Sequence, residues 1–170
     1  MKYYAGIGSR STPTEILQIM QEAASVFAQK GLVLRSGGAD GADTAFEVGS
    51  KGYDNEIYLP WKNFNDNPSP LYIDNLPNCN EAREIAAKYH PSWEYLRETV
   101  KKLMARNAYQ IVGKDLDTPV EFVLCYCPIK NGVWQGGTAQ ACRHAHDLGI
   151  LIINLFLEKD KARILNEINR

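Results

Sequence analysis

Two aspartates, Asp40 and Asp43, stand three residues apart in LRSGGADGADTAFE, between an apolar run ending at Ser36 and the start of a helical pattern. Carboxylates so placed can cap the helix, bind sugar hydroxyls, or serve as acid and base in a hydrolysis. The glycines beside them let a ligand approach the backbone closely, and N–H groups at a helix start stabilise an anion such as phosphate. The stretch therefore reads as a phosphate-holding turn of Ser36, Gly37, Gly38 and Ala39, with Asp43 orienting the turn or a ribose and the role of Asp40 open.

Two further turns share this chemistry. GIGSRS brings Gly8, Ser9 and Arg10, and QGGT brings Gly136, Gly137 and Thr138. Neither a full G-x-G-x-x-G nor a G-x-x-x-x-G-K-[ST] pattern is present, so the case rests on the three turns meeting at one place. Arg10 could fork around phosphate oxygens, whereas Arg35 alternates with apolar neighbours and reads as an ion pair at a strand end. Arg106 and Asn107 lie at the end of an expected helix and are candidates for the same pocket. Among Trp61, Phe64, Tyr72, Trp93 and Trp134, the preferred partners for stacking on a base are Trp61 and Trp134. Cys142 and His146 share a helix face, but no further ligands accompany them, so no metal site is expected; Cys125 and Cys127 read as strand core.

The elements that must position these residues alternate. Lys2 to Gly8 reads as a strand, followed by a helix with Thr12 as N-cap, Pro13 as first helical position and Glu15 as capping-box acid. Leu32 to Ser36, Glu56 to Leu59, Val120 to Cys127 and Ile150 to Leu155 read as further strands. Helices are expected over Ala42 to Lys51, Glu81 to Tyr89, Ser92 to Asn107, Thr138 to Leu148 and Leu157 to Ile168. Pro60 to Asn80, rich in proline and asparagine, reads as an irregular insertion. This alternation predicts an α/β fold of Rossmann-like type, an open, mainly parallel sheet with helices on both faces. In such a sheet all strand-to-helix turns lie on one edge, where ligands settle.

At 170 residues the chain fits one domain, 1–170, without a disulfide framework for its four cysteines. A formal charge of -1 supplies no global field for a polyanion. The N-terminus lacks an apolar signal core and no run is long enough to span a membrane, so a cytoplasmic location is expected.

GIGSRSTP, LRSGGADGADTAFE, ARNAYQIVG and GGTAQACRHAHDLGI, in this order, resemble the Rossmann-like domain of the SLOG superfamily, which includes DprA/Smf and LOG-type proteins. The likeness is closest to the DprA pattern of G-S-R, S-G-G-A-x-G-I-D, an R-N pair and T-A-x-x-A. It implies single-stranded DNA binding on the DprA side. On the LOG side it implies hydrolysis of the bond between a base and ribose 5-phosphate, with a glutamate three residues after the threonine of P-G-G-x-G-T-x-x-E. That position is Ala141 here, leaving Asp40, Asp43, Glu47 and Glu81 as candidate replacement acids. Some SLOG domains are associated with ligands derived from NAD or ADP-ribose, and relatives are commonly dimers, so a homo-oligomer is expected. The leading expectation is a binding protein for a phosphate-bearing nucleotide or nucleotide derivative, with no cofactor. A nucleotide N-glycosidase and a single-stranded DNA binder are the alternatives.

Overall fold

A computed structural model describes all 170 residues. Five parallel strands, β1 (Lys2–Gly8), β2 (Leu32–Ser36), β3 (Asn55–Ile57), β4 (Phe122–Tyr126) and β7 (Leu151–Asn154), form one sheet in the order β3-β2-β1-β4-β7. A separate two-stranded hairpin, β5 (Ile129–Lys130) and β6 (Val133–Trp134), follows β4. The helices are α1 (Thr14–Gln29), α2 (Ala42–Gly49), α3 (Cys79–Lys88), α4 (Glu98–Val112), α5 (Gly137–Asp147) and α6 (Glu158–Ile168). No helix is long and apolar enough to cross a membrane.

The period-two alternation of β1 explains the two layers of helices. Tyr4 joins Met20, Phe27 and Phe46 in a core beneath α1 and α2, and Gly6 leaves room there for Phe46 and Leu34. Ala5 and Ile7 point the other way, into a core with Ile111 of α4 and Ala141 and Cys142 of α5. Both faces of the sheet are thus covered, as a Rossmann-like parallel sheet requires. α3 packs outside α4 in a third cluster with Tyr58 and Tyr109, whose rings stack at 5.4 Å.

Several boundaries differ from the sequence reading for identifiable reasons. α1 is capped at Pro13, whose carbonyl accepts the Leu17 N–H, while the Thr12 hydroxyl donates back to the Ser9 carbonyl at 2.6 Å. Thr12 therefore closes the preceding turn and does not cap the helix. The segment expected as one helix from Ser92 splits into a 3-10 turn at Trp93–Tyr95 and α4, which continues to Val112 because Ala108, Tyr109, Ile111 and Val112 are all buried. β3 stops at Ile57, and Leu59 instead bridges to Tyr72. Arg35 is buried, donates to Glu56 at 2.8 Å and lies 3.9 Å over the Tyr3 ring, the structural role its alternation implied.

β1 lies between β2 and β4, so the chain leaves β1 to one side and β4 returns on the other; the strand order reverses between them. Gly8 pairs in register with Tyr126, which brings the carboxyl ends of the two strands level. A crevice opens beyond them.

Candidate functional site

A cavity of about 610 Å³ occupies that crevice, a size typical of small-molecule sites. The turn after β1 supplies Gly8, Ser9, Arg10 and Ser11, the turn before α5 supplies Gln135, Gly136, Gly137 and Thr138, and the turn after β2 supplies Ala39 and Asp43. All three glycine turns read from the sequence therefore reach one space. Trp61 and Phe64 form another part of its wall, their rings edge to face at 5.2 Å.

Each turn leaves donors unused. The Ser11 N–H goes to the Ser9 hydroxyl at 3.0 Å and the Thr12 N–H to the Ser9 carbonyl, but the N–H groups of Ser9 and Arg10 have no acceptor within the chain. The N–H groups of Gly136, Gly137 and Thr138 are equally free, as the first residues of a helix must be unless something else accepts from them. Gly136 holds φ at 82°, a left-handed conformation that glycine adopts without strain and that turns these groups into the α5 start. Arg10 is exposed at the rim and makes no ion pair.

The turn after β2 is built differently. Asp43 is only 3% exposed and its Oδ2 accepts the Ala39 N–H at 3.2 Å, so it orients the turn as expected; it makes no capping bond to α2. Burial pushes its carboxyl up to about 6, against the pull of the nearby Arg106 charge and the Ala39 N–H. Arg106, 7% exposed, donates from Nη1 to the Gly37 carbonyl and from Nε to Asn107 Oδ1 at 3.1 Å. Burial draws its pKa down, and Asp43 partly restores it. Asn107 is fixed in turn by donating to Gln140 Oε1 at 3.1 Å, and Gln140 donates to the Ala86 carbonyl. Arg106 and Asn107 thus belong to the middle of α4, facing the cavity, and not to a helix end.

Other expectations fall outside the wall. Ser36 donates to the Gly6 carbonyl at 2.6 Å and serves the sheet. Gly37 lies behind the wall, under Asp43 and Arg106, and Gly38 opens onto a neighbouring depression that also holds Asp40 and Glu47. Glu81 is exposed in the first turn of α3. Of the four candidate acids only Asp43 lines the cavity, because starting α2 at Ala42 turns Asp43 inward and leaves Asp40 outside. Trp134 belongs to the β5–β6 hairpin and packs edge-on to His146 at 5.9 Å, away from the cavity. The Cys142 thiol faces Cys125 at 3.9 Å.

Sequence reasoning missed Leu103, Met104 and Gln110, which line the cavity from α4, and Ala141 from α5. The available signal was spacing: Leu103, Asn107 and Gln110 recur at positions that share one helix face with Arg106. The loop carrying Trp61 and Phe64 is tied to the turn after β2 through Asn65, which donates to the Gly38 carbonyl at 3.0 Å, and to α2 through Asn67, which donates to Glu47 at 3.1 Å. Asn67→Ala is expected to cost about 1 kcal/mol, the worth of a hydrogen bond to a charged group at a partly open site. Chemical denaturation would register it as a lower midpoint with an unchanged slope.

Compared with protein-family models, curated proteins and solved structures, the chain matches none. The fold and the cavity define an open, Rossmann-like α/β domain with a crevice at its strand-order reversal.

Proposed function

We propose that the protein binds a phosphate-bearing nucleotide or a nucleotide-derived molecule in this crevice. One observation carries the reading: five backbone N–H groups, from Ser9, Arg10, Gly136, Gly137 and Thr138, stand on two turns of one cavity without an acceptor, with the unpaired Arg10 beside them. Donors of this kind, fixed by the fold and flanked by a cation, suit phosphate oxygens. The aromatic pair Trp61 and Phe64 offers the apolar faces that a base needs. The likeness of the three turns to SLOG domains supports the same class of ligand, including derivatives of NAD or ADP-ribose, held for sensing or sequestration.

Arg10→Ala is the direct test of the phosphate end. Arg10 is exposed and its guanidinium pairs with no carboxylate, so the fold does not depend on it. Calorimetric titration with nucleoside 5′-monophosphates should show roughly a tenfold loss of affinity, the worth of one charge-assisted contact. The thermal midpoint of the free protein should stay the same. Equal affinity of variant and wild type would remove Arg10 from the site.

A further inference from the structure

Gln110 is 2% exposed and lines the cavity, yet its carboxamide forms no hydrogen bond with any group of the chain. The side chain is enclosed but its amide opens onto the cavity, since the Tyr4 hydroxyl alone is a fully buried side-chain polar atom without a partner; an unpartnered amide held in a cavity wall marks a place where a ligand completes the hydrogen bonding. It does not stand alone. A Cβ placed on Gly37 would meet Asp43 Oδ2 at 2.8 Å, Arg106 Nη1 at 2.5 Å and the Gln110 amide nitrogen. Groups from two elements therefore converge around one glycine that leaves them room.

The composition of this corner selects its ligand. Asp43 accepts hydrogen bonds, Gln110 both donates and accepts, and Arg106 has Nη2 free because Nη1 and Nε are engaged by Gly37 and Asn107. The carboxylate and the guanidinium balance in charge, so the corner offers no net attraction for phosphate, and Asp43 repels it. Phosphate is left to the turns of Ser9 and Gly136, whose own lining residues carry no carboxylate. An apolar group in the corner would strand the Gln110 amide. Neighbouring hydroxyls fit, because each can donate to the carboxylate while accepting from the amide or the guanidinium.

We infer that Asp43, Arg106 and Gln110 form a subsite for the vicinal diol of a ribose, so that the cavity takes ribonucleotides in preference to 2′-deoxyribonucleotides. The inference rests on the phosphate-binding reading above and adds the sugar to it. A deoxyribose would leave the amide or the carboxylate one partner short.

The test compares the four ribonucleoside 5′-monophosphates with their 2′-deoxy counterparts by calorimetric titration of the wild-type protein, Gln110→Met and Asp43→Asn. Wild type should favour at least one ribonucleotide over its deoxy partner by roughly 10- to 100-fold, the worth of a hydrogen bond to a charged or buried group. The ratio should fall towards one in both variants, each first shown by thermal unfolding to be folded. A ratio near one in wild type, with both members of a pair bound, overturns the diol subsite and leaves the phosphate reading standing. A ratio that persists in both variants also overturns it. A loss in Gln110→Met that depends on the base and not on the sugar would assign the amide to a base edge instead. Binding of none of the eight compounds overturns the diol subsite, and the phosphate reading falls with it if the purified protein also releases no nucleotide derivative on denaturation.

Discussion

Gly37→Ala is expected to abolish nucleotide binding, with an affinity loss exceeding 100-fold, and to lower stability by about 1–3 kcal/mol, the usual cost of overpacking. The added methyl would arrive 2.5 Å from Arg106 Nη1 and 2.8 Å from Asp43 Oδ2, and against the Gln110 amide. Two of the three are held in place, Arg106 by Gly37 and Asn107 and Asp43 by Ala39, so that only the Gln110 amide, bonded to nothing in the chain, can turn aside. The effect is steric, since Gly37 is not among the glycines with positive φ and its backbone suits any residue. Titration with the nucleotide panel together with chemical denaturation separates the two losses. A variant that binds as wild type does would show that the corner around Gly37 lies outside the site.

Asp43→Asn is expected to act in opposite senses on stability and binding. Because burial raises the folded-state carboxyl pKa from its ordinary value of 3.8 to about 6, the folded chain binds more protons than the unfolded chain between those values. Stability of the wild type therefore falls as pH rises through that window, and the cost is fully present above about pH 6. At about 1.4 kcal/mol per pKa unit, the cost is on the order of 3 kcal/mol. The attraction of Arg106 is already contained in that shift. Asparagine has no such ionisation and can still accept the Ala39 N–H through its carbonyl. The variant should thus unfold at a higher temperature than wild type at pH 8, with the difference fading as pH falls below about 4. Thermal unfolding across that range checks the sign: a variant destabilised equally at every pH would mean that Asp43 acts through its hydrogen bond and not its charge. A gain in stability with a loss of ribonucleotide preference is the trade expected of a group kept for a ligand.

Much of this was legible in the chain. The short apolar runs at Lys2–Gly8 and Leu32–Ser36, each stopped by glycines, read as buried strands, and the glycine turns that follow them lie on one sheet edge as a consequence of parallel topology. That rule is why Gly8, Ser9, Arg10, Gly136, Gly137 and Thr138 could be brought together without a structure. The hairpin β5–β6 escaped because two residues per strand carry no periodic signal. Trp134 was misplaced with it. Asp40 and Asp43 look alike in sequence; only the point where α2 begins decides which faces the cavity. Gln110 was invisible for a different reason. A buried glutamine in an amphipathic helix reads as an ordinary polar position until packing shows that nothing in the chain satisfies it.

The thermal stability of the two variants bears on how the site is built; its occupant bears on what the protein does. The most direct measurement is to denature the purified protein, identify any small molecule released by mass spectrometry, and titrate that molecule, or the nucleoside monophosphate panel if none is released, into the refolded or ligand-free chain. The account predicts a phosphate-bearing nucleotide or nucleotide derivative that binds one per chain and loses affinity in Arg10→Ala. A chain that yields no such molecule and gives no heat with any member of the panel would contradict it.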